Sequence, residues 1–146
     1  MSSITSANAV LTLKIPGISL YAQGKILQGF SAEDVFGMDA IDPAELSMGI
    51  DGNLSAAFIF VPTKQAIHLQ ADSASNAVFE DLRAAEVAGV EKLPVSMTVA
   101  IPAVKKIYTC VTGYLTSYPP ISDAKKSLQP RKYEITWQTV TVATTA

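Results

Sequence analysis

Apolar and polar residues alternate with a period of two through most of this chain, and a helical period appears only once. Strict alternation argues for half-buried strands, and recurrence at three and four residues argues for an amphipathic helix. The clearest alternation lies in Glu45–Gln70. In its first arm Leu46, Met48 and Ile50 share one face and Glu45, Ser47 and Gly49 the other. In its second arm Leu54, Ala56, Phe58 and Phe60 share a face, and Asp51-Gly52-Asn53 joins the two arms. Asp-Gly between alternating runs is a strong hairpin signal.

A two-residue loop would set Ile50 opposite Asn53 and Met48 opposite Ser55, mixing apolar with polar. A three-residue loop, Asp51–Asn53, sets Ile50 opposite Leu54, Met48 opposite Ala56 and Leu46 opposite Phe58. Opposed residues share a face, and a one-residue slip moves every side chain to the other one. The pattern therefore predicts a three-residue loop with Asn53 in the left-handed conformation that Asn tolerates. The second face, with Glu45, Ser47, Gly49, Ser55 and Ala57, is small and polar. Pattern alone makes it the solvent side of an ordinary hairpin.

The rest of the chain follows in order. Ala9–Ile15 alternates and reads as a strand, broken by Pro16-Gly17, and Ile18–Ile26 reads as a second. Asp42-Pro43 marks a turn after the acidic segment Glu33–Asp42. In Thr63–Ala71, Ile67 and Leu69 oppose Lys64, His68 and Gln70. Ser73 and Ser75 are candidate N-caps for a helix over residues 75–88, with a stripe of Val78, Phe79, Leu82 and Ala85. Gly89 suits the position after its end. Leu93–Ile101, Val104–Ser117 and Lys132–Val142 read as strands, Gly113 as a bulge or a site of close approach, and Ala143–Ala146 as frayed. Strands on both sides of one helix, without regular βα alternation, predict a mainly β fold: an antiparallel sandwich or barrel with one flanking helix. No repeat or linker divides residues 1–146, so one domain is expected.

Composition changes this picture at one point. Of 146 residues, 49% are hydrophobic and only 16% charged, against about a quarter charged in an ordinary soluble domain. No run approaches the roughly 20 apolar residues of a membrane helix, and Met1–Ser6 lacks the features of a signal peptide. Burial against partner subunits is the remaining explanation. The net charge of −2 argues against general nucleic-acid binding. Its distribution is uneven: Glu33, Asp34, Asp39, Asp42, Glu45 and Asp51 fall in a stretch with no Lys or Arg. Later, Lys105, Lys106, Lys125, Lys126, Arg131 and Lys132 face only Asp123 and Glu134. Unlike ends suit head-to-tail association, although two solvated loop clusters would look the same.

Candidate chemistry is sparse. Cys110 is the single cysteine, so no disulfide framework or thiol cluster is expected. His68 is the single histidine and stands beside no nucleophile or second metal ligand. Asp51-Gly52-Asn53 echoes a calcium loop, but the twelfth position is Pro62 where a bidentate Glu is required. Gly49–Gly52 lacks the Gly-Lys-Ser/Thr that completes a phosphate loop. Trp137 and the tyrosines sit in apolar strands and read as core. A non-enzymatic, self-associating β domain without cofactor or metal is expected.

Several stretches resemble tail tube proteins of long-tailed bacteriophages. They are Gln28-Gly-Phe30 before the acidic segment, Met48-Gly-Ile-Asp-Gly-Asn-Leu-Ser55, and Leu69-Gln-Ala-Asp-Ser73 running into Asn76–Leu82. Leu115–Lys126 and Leu128–Gln138 complete the set, which spans most of residues 28–138. The resemblance implies hexameric rings stacked head to tail, with strands of six subunits forming a continuous inner barrel through which DNA is ejected. It also implies tail sheath, tape measure and baseplate proteins as partners, and a place in the virion tail after synthesis in the host cytoplasm. The same fold serves contractile bacteriocins and type VI secretion tubes, which remain alternatives, as does a monomeric β-sandwich binding module; an enzyme is the weakest reading. A DNA duct should repel phosphate rather than grip it. Glu45, Ser47, Gly49, Ser55 and Ala57 are therefore expected to line the lumen, with His68 and Gln70 from the next strand. Glu33, Asp34, Asp39 and Asp42 of one ring are expected to meet Lys105, Lys106, Lys125, Lys126, Arg131 or Lys132 of the next.

Overall fold

The computed structural model describes residues 9–30 and 35–144. Their strands are β1 (Val10–Lys14), β2 (Lys25–Ile26), β3 (Phe36–Met38), β4 (Ala44–Met48), β5 (Leu54–Phe58) and β6 (Thr63–Leu69). The helix α1 (Asn76–Gly89) follows, then β7 (Val95–Ile101), β8 (Lys106–Ser117) and β9 (Arg131–Thr144). All pairings are antiparallel, and the expected class, mainly β with one flanking helix, is what the chain adopts. Seven strands form one sheet in the order β2-β1-β7-β8-β9-β6-β3, and β4 and β5 form a second by themselves.

The large sheet curls around its core. The segment after β2 shows how far. Leu27 donates its backbone N–H to the Leu11 carbonyl at 2.8 Å, and Gly29 accepts from the Gln70 N–H at 2.8 Å, with Phe30 bridged to Leu69. One short segment thus ties β1 to the far end of β6, closing the sheet into a barrel-like shape. Gly29 makes this possible. Its φ is +73°, and a Cβ there would lie 2.5 Å from Ser73 Oγ. Ser73 donates its hydroxyl to the Gln28 carbonyl, and Ser75 Oγ accepts the Gln28 N–H at 2.7 Å.

The core follows the alternation. Leu11, Leu13 and Ile15, Val95, Met97 and Val99, Ile67 and Leu69, and Tyr133, Ile135 and Trp137 all turn inward and are buried. The helix seals the opening with Val78, Phe79 and Leu82. Phe79 stacks on Tyr133 with ring centroids 4.1 Å apart. Tyr133 donates its hydroxyl to Asn76 Oδ1 at 2.9 Å, and Asn76 Nδ2 donates to the Gln70 carbonyl at 2.9 Å. At the other end Glu86 is buried yet accepts from the Leu93 N–H at 3.1 Å and pairs with Lys92 at 3.0 Å. Buried polar groups hold their place when partnered in this way.

Four local expectations differ from the structure. Ile18–Ile26 is no continuous strand: Ser19–Tyr21 form a 3-10 turn, because Pro16-Gly17 and Gly24 (φ +103°) bend the chain until Ile15 N–H meets the Tyr21 carbonyl at 3.1 Å. Tyr21 there donates to Asp81 at 2.5 Å, and that bond to a carboxylate, with burial, pushes its phenol up to about 12. Ser75 occupies the N-cap position but makes no capping bond, since its hydroxyl serves Gln28. The left-handed residue closing α1 is Val90 (φ +51°) rather than Gly89, with Glu91 N–H reaching back to the Glu86 carbonyl at 3.1 Å. Finally, Ala143 and Thr144 do not fray but pair with Ile107 and Lys106.

Candidate assembly surface

The β4–β5 hairpin is an arm. Among the described residues its strands pair only with each other in the sheet topology, and every residue of both is exposed. Leu46 is 60%, Met48 65%, Leu54 58% and Phe58 74% exposed, and all four lie on one face. Isolated two-stranded ribbons are marginal in water, and a soluble monomer seldom displays so contiguous an apolar row.

Its register corrects the sequence expectation in one particular. Met48 pairs with Leu54, Leu46 with Ala56 and Ala44 with Phe58. The loop has three residues, but they are Ile50-Asp51-Gly52, one position earlier than expected. Gly49 N–H donates to the Asn53 carbonyl at 2.8 Å, and Gly52 N–H to the Gly49 carbonyl at 3.0 Å. Gly52 takes the left-handed position at φ +85°, which costs glycine nothing and costs Asn something. Moving the loop by one residue moves the pairing by two, so face membership survives. Glu45 is opposite Ala57 and Ser47 opposite Ser55, all on the face away from the apolar row, and Gly49 closes the ladder at their end.

The other expected site residues are scattered. His68 pairs with Lys132 in the large sheet, and Gln70 sits at the turn into α1, beside Leu128 and Pro130. Neither belongs to the arm's sheet. Glu33 and Asp34 lie outside the described residues. Asp39, Asp42, Lys105, Lys125 and Lys126 are exposed. Lys106 donates to Thr144 Oγ1 at 3.2 Å, and Lys132 pairs with Glu134 at 3.4 Å. Glu134 also meets Lys64 at 3.1 Å, and these two lysines hold its carboxyl below the usual range, Lys64 most strongly.

Arg131 corrects the expectation that it serves as a surface contact. It is buried, with Nη1 donating to Glu80 at 2.8 Å and Nη2 to the Pro119 carbonyl at 2.6 Å. Its guanidinium lies 5.6 Å and 5.4 Å from the ring centroids of Tyr118 and Tyr133. Burial works against its charge and the Glu80 carboxylate supports it, leaving the pKa above the ordinary arginine value. A guanidinium so enclosed anchors the loop that carries Lys125 and Lys126, and presents nothing itself.

Two features escaped the sequence. Beyond Trp137, β9 has no partner on its β6 side, because β6 pairs only with Arg131–Trp137. Gln138–Thr144 therefore offers a free edge among the described residues. It contains no charge and no proline, the devices that usually protect an edge. Beside it a groove of about 540 Å³ runs along Gln138–Val140, walled by Met38, Ile41, Pro43 and Phe60. The uncharged Gln138–Thr144 run is the available signal, but a strand read over Lys132–Val142 does not say which part of it lacks a neighbour.

The same fold recurs in chains of contractile injection system assemblies. A chain in the cryo-EM structure of the anti-feeding prophage cap (AFP tube terminating cap) covers 99% of this chain and 93% of its own length, at 15% identity and a TM-score of 0.58. A chain in the PVC sheath–tube complex of an extracellular contractile injection system, in the extended state, covers 97% and 92% at 11% identity and a TM-score of 0.56. A chain in the anti-feeding prophage baseplate covers 99% and 97% at 8% identity and a TM-score of 0.58. At such identities the likeness is one of fold. A family model described as tail fiber protein gp32 matches residues 2–141, and the chain belongs to that family. No curated protein matches the sequence. The chain is thus a tail-related structural protein with a tail tube-like fold.

Proposed function

We propose that this protein is a non-enzymatic ring-forming subunit of the phage tail tube, present in the virion, whose stacked hexamers enclose the path of the ejected DNA. The observation that carries the proposal is the arm with its exposed apolar row. Apart from Phe58, whose ring meets Phe60 edge-on at 5.1 Å and borders the groove, the row stays exposed, so a neighbouring copy is the natural cover. The free edge of β9 supports it, since strand addition between copies would satisfy the edge and extend the sheet around a ring. With the apolar face covered, Glu45, Ser47, Gly49, Ser55 and Ala57 are left to face the lumen. That wall is small, polar and weakly acidic, and it would repel phosphate without holding it. His68 and Gln70 join it only if a neighbour brings the two sheets together.

Stacking follows the charge split in this proposal. Asp39 and Asp42 of one ring, with Glu33 and Asp34, approach Lys105, Lys106, Lys125 and Lys126 of the next. Lys132 is partly neutralised by Glu134, and Arg131 holds the loop in place. Sheath, tape measure and baseplate proteins are the partners such a tube would meet.

A second reading is favoured by the likeness to chains in a cap and a baseplate: a terminal ring that closes a tube without extending it. Negative-stain microscopy of the purified protein distinguishes these. Long tubes are expected, and single rings would support the terminal role. A 15.5 kDa species that stays monomeric by light scattering at every concentration would overturn both and leave a monomeric binding module. The ring-stacking contact is read from Lys125→Glu/Lys126→Glu, which should shorten tubes at low salt. Tubes of unchanged length would discard that pairing.

A further inference from the structure

The tip of the arm holds a reactive dipeptide in a restrained state. Asp51-Gly52 is exposed at the end of the hairpin, and Asp-Gly is the pairing in which the next backbone nitrogen meets least steric resistance in attacking the carboxyl carbon. In that reaction the Gly52 nitrogen bonds to Asp51 Cγ, and the nitrogen's proton and a carboxyl oxygen leave as water. The resulting succinimide is then opened by water at either carbonyl. Opening at the original backbone carbonyl leaves isoaspartate, with one extra carbon in the main chain and no net change in mass.

Here both reacting groups are engaged. Asp51 Oδ1 accepts the Asn53 N–H at 3.1 Å, and Oδ2 accepts Asn53 Nδ2 at 2.8 Å. The Gly52 nitrogen donates its proton to the Gly49 carbonyl at 3.0 Å. Gly49 leaves room for the arrangement, because a Cβ there would lie 2.6 Å from Asp51 Oδ1. We propose that Asp51-Gly52 is a latent isoaspartate site and that Asn53, by tying down both carboxylate oxygens while the Gly52 N–H is held by the Gly49 carbonyl, keeps it unreacted while the hairpin is formed. The same hydrogen bonds hold the Asp51 carboxyl below the usual carboxylate range, the backbone one contributing most. The ionised form is the poorer electrophile, so geometry and charge act in one direction.

A consequence concerns the arm. An extra main-chain carbon at residue 51 would break the three-residue loop that sets Met48 opposite Leu54. Subunits whose hairpin opens would convert and lose the register on which the apolar row depends.

The test compares the full chain with Asn53→Ala, each incubated folded in physiological buffer and again in strong urea, with isoaspartate measured by isoaspartyl methyltransferase labelling and peptide mapping of residue 51. Circular dichroism confirms that the body is intact in both. The expected result is several-fold faster conversion of folded Asn53→Ala than of the folded parent, and equal rates for the two in urea. Equal rates in the folded state would overturn the proposal. So would the same acceleration persisting in urea, since it would then come from local sequence and not from the hairpin. Neither reading depends on whether rings form.

Discussion

A single methyl group added at residue 113 is expected to unseat the tryptophan at the centre of the core. Gly113 lies in β8, opposite Val95 of β7 on one side and Trp137 of β9 on the other. The Trp137 ring occupies the space above it. A Cβ built at 113 would stand 2.3 Å from Cε3 and 2.5 Å from Cζ3, far inside van der Waals contact. The ring cannot yield cheaply, because Trp137 is fully buried and its Nε1 donates to Gln65 Oε1 at 2.9 Å. Moving it leaves that buried amide oxygen unpaired. Overpacking costs about 1–3 kcal/mol and an orphaned buried polar group about 1–3 kcal/mol more. Gly113→Ala should therefore lower stability by roughly 3 kcal/mol, a drop of about 10 °C in Tm for a domain of this size. Calorimetry of Gly113→Ala checks it, and a Tm within about 2 °C of the parent would contradict the close approach. The mechanism has its own signature. In the presence of Trp137→Leu, which clears the ring, the same alanine should cost much less, giving a non-additive cycle.

The second large effect concerns assembly and leaves the fold alone. Replacing Leu46, Met48, Leu54 and Phe58 together by Ser should abolish rings and tubes. Full burial of each such side chain is worth about 1.5–3 kcal/mol, so the row contributes roughly 6–12 kcal/mol per arm before ordering costs are subtracted. Because the arm's strands are exposed on both faces, the body should keep its Tm to within about 0.5 kcal/mol of stability, as for ordinary surface changes. The opposite face supplies the contrast: Ser47→Asn and Ser55→Asn, which add bulk but no apolar loss, should still assemble. Light scattering and microscopy read both variants. Normal tubes from the quadruple serine variant would show that the row is not an interface.

The strands were legible wherever one face had to be buried, as in β1, β6, β7 and β9, because alternation there is enforced by the core. The helix was legible to within a residue from Val78, Phe79 and Leu82. Its end was not, because Gly89 and Val90 compete for the closing position, and the reach of Glu91 N–H to the Glu86 carbonyl decides for Val90. Arg131 looked like surface charge, since a charged residue beginning a strand usually is. Only the arrival of Glu80, Tyr118 and Pro119 from other parts of the chain made it a buried anchor.

The arm shows the same division most plainly. Sequence by itself determined that residues 45–58 form a hairpin, how long its loop is, and which side chains share a face, because a period of two admits no other sorting once the turn is placed. It could not determine that the apolar face stays mostly exposed in its own chain. Alternation reads the same whether the oily side packs on the chain's own core or on a neighbour's. That outcome was settled by the large sheet, which closes through Lys25–Phe30 and is capped by α1, so that the core is complete without the arm.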